Sequence, residues 1–259
     1  MPELPEVETL SRQLQKVVAG KKIKEFKVLD QKLGEIAGLV GKKVLCPCRR
    51  GKGLQIPLND GRVIGLHLRM TGRLLWREGE AELLPHTRLR IGFSRGQLDL
   101  IDPRRFATLK VQEEGAAPLA EPASGDHLPS PLLWEKGRNR NLPIKSFLMD
   151  QRFITGIGNI YACEILFAAR LDPRRKTKEL SLTDWQKLGR LAKTILTRAI
   201  ACRGTSVSDW YDLFGQKGEY QYCLQVYGKE GLPCPCCGAA IERFRLGGRG
   251  TYMCPVCQK

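Results

Sequence analysis

The chain has 259 residues, enough for one large domain or two modest ones with a buried core. Its 43 Lys and Arg outnumber 27 Asp and Glu, and the formal net charge of +16 points to a polyanionic partner. No apolar run could span a bilayer and no signal-peptide core follows the acidic start at Glu3, Glu6 and Glu8; ten cysteines without an export signal suit a reducing cytosol better than a disulfide framework.

Residues 5–19 predict a helix. Pro5 fits its first turn, Glu6 and Glu8 suit its positive end, Leu10, Leu14 and Val17 form an apolar stripe, and Gly20 can stop it. A β-rich region follows, with strands expected at 23–29, 53–58, 63–68, 87–93, 98–101 and 107–111, punctuated by Gly and Asn-Asp-Gly turns. Short strands at this spacing indicate a sandwich or barrel. Residues 113–131, with Pro118, Pro122, Pro129 and Pro131, read as an interdomain linker. Helices dominate beyond it: a short one at 144–151, one at 159–169 after Gly156-Ile157-Gly158, and one built on Leu182, Trp185, Leu188, Leu191, Ile195 and Ala199. Ser181 and Asp184 are placed to cap the last of these. After Gly204 the chain turns polar and aromatic through Gly215–Gly218, which reads as a surface loop. Gly156-x-Gly158 is no dinucleotide motif, because Tyr161 stands where the third glycine belongs.

Near the C-terminus, Cys234-x-x-Cys237 and Cys254-x-x-Cys257 have the spacing of a structural zinc site, closed by four protein ligands and unable to activate water. The residues between them suit two strands around Gly247-Gly248. Cys236 lies out of register and is not a ligand. Cys46 and Cys48 are too close in sequence for a usual half-site, and Cys163, Cys202 and Cys223 read as small hydrophobes.

At the N-terminus, Pro2 behind a removable Met1 is a latent secondary amine. An α-amino group has a pKa near ~8, so a useful fraction is neutral at pH 7. Attack on an aldehyde-like carbon gives an iminium, a good electron sink for elimination. Glu3 beside the amine, and Glu6 one turn on, could move protons. Taken alone, Glu6 and Glu8 read as ordinary first-turn carboxylates.

Pro2-Glu3-Leu4-Pro5-Glu6-Val7-Glu8-Thr9 resembles the N-terminal signature of the formamidopyrimidine-DNA glycosylases, bacterial repair enzymes for 8-oxoguanine. The likeness continues, in the family's order, through Arg49-Arg50-Gly51-Lys52-Gly53, His67-Leu68-Arg69-Met70-Thr71-Gly72, Asp102-Pro103-Arg104-Arg105-Phe106, Gly156 to Ala162, Gln225-Val226-Tyr227-Gly228 and the cysteine hairpin. The resemblance implies an α+β protein of two domains: a catalytic β-sandwich with an N-terminal helix over 1–112, a linker over 113–131, a helical domain with a helix–two-turn–helix motif over 132–222, and a zinc finger over 223–259. It implies a monomer acting on double-stranded DNA with oxidised bases or abasic sites, excising oxidised purines and nicking the strand by β,δ-elimination, in the bacterial cytosol.

Residue by residue, the resemblance makes Pro2 the nucleophile, Glu3 the proton donor and acceptor, Glu6 its assistant and Lys52 a contact near the damaged nucleotide. Met70, Arg104 and Phe106 would fill the gap left by the flipped base. His67, Arg152, Asn159 and Arg249 would meet the backbone, and the loop at 215–220 would close over the flipped base. Without it, Met70 and Phe106 would be core residues, Asn159 a helix cap or phosphate ligand, and His67 a structural histidine. Four positions depart from the family pattern: Arg69 and Arg203 where glycine is common, Ala107 where glycine usually follows the phenylalanine, and Arg152 in place of lysine. The competing readings are the sister endonuclease for oxidised pyrimidines, which usually has glycine in place of Leu4, and a non-catalytic DNA-damage binder, which needs no Pro2-Glu3 pair.

Overall fold

The computed structural model describes residues 1–113, 123–207 and 209–259. They form two compact units, one from Met1–Leu119 and Cys202–Gln221, the other from Ala120–Ala201 and Tyr222–Lys259. The expected linker prolines Pro118 and Pro122 lie outside the described residues. Among the described residues, no helix is long and apolar enough to cross a membrane.

Helix α1 of the first unit spans Leu4–Val18, with Glu3 at its N-cap and Pro5 in its first turn. Leu4, Val7, Leu10, Leu14 and Val18 recur at helical spacing and are all buried. Eight strands build two antiparallel sheets. One contains β1 (Glu25–Val28), β5 (Arg73–Glu78), β6 (Thr87–Phe93) and β7 (Gly96–Ile101) in the order β1-β6-β7-β5. The other contains β2 (Cys48–Arg50), β3 (Gly53–Pro57), β4 (Arg62–His67) and β8 (Thr108–Glu113) in the order β2-β3-β4-β8. Alternate residues of both sheets, among them Leu54, Ile56, Ile64, Leu66, Leu89, Ile91, Leu98 and Leu100, share one core with α1. The six expected strands are all present; β2 and β5 are additional.

The last twenty residues of this unit depart from the expected domain boundary at 222. Trp210 and Leu213 belong to the sandwich core, the Trp76 N–H donates to Leu213 O at 2.8 Å, and the Gln13 amide donates to Asp212 Oδ2 at 2.9 Å. Burial of this apolar pair in the sandwich outweighs proximity in sequence to the helices.

The second unit holds α2 (Ser130–Gly137), α3 (Ile144–Met149), α4 (Asn159–Ala169) and α5 (Leu182–Ala201). A short parallel pair, β9 (Ala123–Ser124) and β10 (Ile154–Thr155), precedes α4, and the hairpin β11 (Glu242–Leu246) and β12 (Arg249–Met253) closes the chain. Pro129 is the N-cap of α2, so helix starts inside the stretch expected as linker. Ser181 and Asp184 exchange hydrogen bonds at the start of α5 as expected: Ser181 N–H to Asp184 Oδ2 at 3.0 Å and Asp184 N–H to Ser181 Oγ at 3.2 Å.

Helix α4 is apolar almost all round and buried, with one carboxylate inside it. Glu164 accepts the N–H groups of Gln225, Val226 and Tyr227 at 2.8, 3.0 and 2.9 Å. Burial pushes its pKa up, while the three amides pull the other way. Glu164→Leu removes the acceptor from one buried N–H group, that of Val226, and from two that lie nearer the surface. At ~1–3 kcal/mol for the buried group and less for the other two, urea unfolding of the variant is expected to show a loss of ~2 kcal/mol or more; a loss below ~1 kcal/mol would mean that water replaces the carboxylate.

Candidate active site and metal centre

In the first unit the residues expected to be catalytic stand at the start of α1. Pro2 is half-buried, and Glu3 and Glu6 are buried. The Glu6 carboxylate joins two distant pieces of backbone: Oε2 accepts the Glu3 N–H at 2.8 Å and Oε1 accepts the Thr205 N–H at 2.8 Å. Gly204 makes the second bond possible. Its φ is +83°, and a Cβ there would stand 2.7 Å from Glu6 Oε1. The loop expected at 215–220 closes onto the same place, since Tyr220 N–H donates to Gly204 O at 3.0 Å and a Cβ on Gly218 would be 2.3 Å from that oxygen. Gly204 and Thr205 are the site residues that sequence reasoning missed. Their only signal is a Gly-Thr step at the end of a long helix.

Lys52 lies in the β2–β3 turn and is buried. His67, at the end of β4, has its pKa held down to about 4 by burial first and then by the charges of Arg69 and Lys52. Its Nδ1 accepts the Arg69 N–H at 3.0 Å, which leaves the ring proton on Nε2 as a donor. The imidazole is therefore neutral at pH 7 and can give a phosphate oxygen a hydrogen bond but no charge.

Met70 and Phe106 are 47% and 41% exposed, unlike core residues, and the Arg104 guanidinium lies 4.6 Å from the centre of the Phe106 ring. Two of the departures from the family pattern have a backbone explanation. Arg69 (φ 55°) and Arg203 (φ 57°) occupy the left-handed region, where glycine carries no Cβ penalty. Arg203 is tied to Glu219 at 2.7 Å and donates to Lys217 O at 3.2 Å. Ala107 is buried and outside that region.

The remaining expected contacts sit on the second unit. Asn159 opens α4; its Oδ1 accepts from Lys145 Nζ at 2.6 Å and its Nδ2 donates to Gly250 O at 2.9 Å, so it ties α3 and β12 together and does not cap its own helix. Arg152 is exposed and paired with Asp150 at 2.6 Å. Arg249 is exposed at the first position of β12.

The Sγ atoms of Cys234, Cys237, Cys254 and Cys257 all lie within 4.8 Å of one another, with Cys234–Cys257 at 3.9 Å and Cys237–Cys254 at 3.4 Å. A zinc tetrahedron with ~2.3 Å bonds has edges of ~3.8 Å, so the donor set fits the ion. Hydrogen bonding with Cys237, and then burial, pushes the Cys257 thiol up to about 12. Backbone N–H groups of Cys236 and Cys257 point at Cys234 and Cys254 sulfurs at 3.4 Å each, as thiolates require. Cys236 itself is exposed and outside the cluster. These four residues hold one structural zinc.

Three family models match in succession: the formamidopyrimidine-DNA glycosylase N-terminal domain over residues 1–109, the H2TH domain of the same enzymes over 118–210, and the zinc finger found in FPG and IleRS over 231–259. The formamidopyrimidine-DNA glycosylase of Pelotomaculum thermopropionicum is 41% identical over 100% of this chain and 99% of its own. That of Moorella thermoacetica is 41% identical over 95% of each. A mutant of the Lactococcus lactis enzyme, in complex with DNA containing Fapy-dG, is 33% identical, with a TM-score of 0.91 over 100% of both chains. A sandwich that begins with Pro-Glu, a helical unit and a four-cysteine finger place the protein among the helix–two-turn–helix repair glycosylases. Within that class the chain belongs to the formamidopyrimidine-DNA glycosylase family.

His67 yields a pH signature. Above pH 6.5 it is neutral folded or unfolded; as the pH falls from 6.5 towards about 4 the unfolded chain takes up a proton that the folded one refuses, so stability drops across that window and the effect saturates below it. His67→Gln is expected to lose less stability over the same window in denaturant titrations. Parallel curves for the two proteins would show that the folded imidazole titrates normally.

Proposed function

We propose that this protein is a bifunctional DNA repair glycosylase that flips out and excises oxidised purines through an imine on Pro2, then nicks the strand by β,δ-elimination. The observation that supports this most is the N-terminal arrangement: Pro2 followed by a buried Glu3, with Glu6 clamped between the Glu3 and Thr205 amides. Met1 removal frees the Pro2 amine. That amine attacks C1′ of the damaged nucleotide, the glycosidic bond breaks, and the base leaves with a proton. Protonation of O4′ breaks the C1′–O4′ bond and opens the sugar to the cationic iminium, which draws electrons as loss of the C2′ proton expels the 3′ phosphate and loss of the C4′ proton then expels the 5′ phosphate. Glu3 is the group placed to move protons beside the amine, and Glu6 fixes the backbone that carries it.

Eversion of a base costs a few kcal/mol of stacking, which wedge residues offset by filling the hole. Met70, Phe106 and Arg104 supply that wedge, and their exposure supports the role. Lys52, His67, Arg152, Asn159 and Arg249 contribute the phosphate contacts, and the loop at 215–220 covers the flipped base. Like the Lactococcus lactis relative, seen with Fapy-dG DNA and with abasic-site DNA, this protein takes damaged double-stranded DNA as its substrate. That relative is also seen with DNA containing an oxidised pyrimidine, which favours a lesion range wider than purines. Its bacterial relatives support a cytosolic location.

The decisive experiment incubates Met1-processed protein with a duplex bearing one 8-oxoguanine opposite cytosine, in the presence of borohydride. A covalent protein–DNA adduct is expected, absent when Met1 is retained, and Glu3→Gln is expected to bind the duplex without excising the base. Normal excision by Glu3→Gln would sink the assignment.

Arg249→Ala gives a second readout. Losing one phosphate contact is expected to weaken damaged and undamaged duplexes alike and to lower the slope of log K against log salt by about 1. An unchanged slope would remove Arg249 from the phosphate interface.

A further inference from the structure

The two turns that carry the wedge are built around one carboxylate. Asp102 is wholly buried. Its Oδ1 accepts the Thr71 hydroxyl at 2.5 Å and the Arg104 N–H at 3.2 Å; its Oδ2 accepts the N–H groups of Phe106 and Ala107, each at 2.7 Å. A carboxylate has about four lone-pair sites, and four donors from this protein meet it. Thr71 comes from the turn that presents Met70, and the three amides come from the turn that presents Arg104 and Phe106.

Both turns are strained where they need this support. Arg69 (φ 55°) and Arg105 (φ 57°) stand next to the wedge residues in the left-handed region, which a residue with a Cβ avoids. Beside them, a Cβ on Gly72 would be 2.4 Å from Leu68 O, so the Met70 turn is tightly folded. A second carboxylate fixes the other arginine: Asp30 accepts Arg105 Nε and Nη2, both at 2.7 Å. Those bonds hold the Asp30 carboxyl down to about 2.

We propose that Asp102 is a positioning residue for base eversion, holding Met70, Arg104 and Phe106 in the inserting arrangement before DNA arrives. This rests on the glycosylase reading and its wedge. Two turns far apart in sequence are ordered during folding, so DNA binding energy is not spent on ordering them. Asp102 touches no reacting atom. Its effect is confined to substrates in which a stacked base must leave a duplex.

The test compares wild type, Asp102→Asn, Thr71→Val and Phe106→Ala on two substrates: a duplex with 8-oxoguanine opposite cytosine, and a single strand with a preformed abasic site, which has no opposing base and no hole to fill. Asn keeps the shape but turns one acceptor into an NH₂ that faces donors. Asp102→Asn is expected to excise from the duplex about tenfold or more slowly, the effect of losing one charged hydrogen bond, and to nick the single strand within about twofold of wild type. Thr71→Val, which frees the Met70 turn alone, is expected to shift the same ratio in the same direction by less. Equal losses on both substrates in Asp102→Asn, or no loss on the duplex, would overturn the proposal. A duplex defect in Phe106→Ala without one in Asp102→Asn would reject the positioning role and leave the glycosylase reading standing; no duplex defect in either variant would reject the wedge itself.

Discussion

The first unit depends on the Glu6 carboxylate. One oxygen holds the backbone N–H of Glu3 and the other that of Thr205, 199 residues further on. Burying a carboxylate is costly unless donors replace its water, and here backbone amides do so. The same two bonds set the direction in which the chain leaves α1 towards Pro2. They also bring Gly204 so close that no side chain could replace its hydrogen. A chain terminus would ordinarily fray. In this fold the residue next to it is a helix N-cap whose own N–H is already engaged, so the terminus inherits the rigidity of α1.

The second unit solves a different problem, the attachment of a small zinc hairpin that has little core of its own. One helix, α4, does it at three levels. Asn159 at its start bonds to Gly250 O, Glu164 in its middle takes three amides of the approaching chain, and the carbonyls of Arg170 and Leu171 beyond its end accept Lys259 N–H and Gln258 Nε2. Cys163 and Phe167 of α4 pack with Val226, Ile241 and the buried cysteines. Zinc sets the shape of the hairpin, and α4 sets the direction in which Arg249 points.

Much of this was legible in the sequence because it is local. Helices α1 and α5 follow from periodicity and caps, α4 from the Gly156-Ile157-Gly158 turn before an apolar run, the metal site from Cys-x-x-Cys spacing, and six strands from alternation or short apolar runs. Strand β5 escaped because Arg73, Arg77 and Glu78 mask the alternation of Leu74 and Trp76, and β2 because three residues carry too little pattern. Exposure of Met70 and Phe106 could not be read locally, since an apolar residue in a turn looks the same whether it faces core or solvent. The place of residues 202–221 was equally hidden. Trp210 and Leu213 announce burial but not which core receives them. The glycine preference at 69 and 203 became physical only with the backbone angles, where arginine adopts the conformation glycine would take freely.

The first unit is discontinuous in the chain, and that has a consequence for synthesis on the ribosome. The strands of the sandwich emerge first, but Thr205, Trp210 and Leu213 follow only after α2 to α5. At a translation rate of ~5–20 residues per second, that delay is about 5–20 s. Until then Glu6 lacks its Thr205 partner and the sandwich core lacks two members. A nascent chain that has not yet reached Thr205 therefore carries the Glu6 carboxylate with one of its two backbone donors missing, and the start of α1 is fastened only when most of the protein has been made.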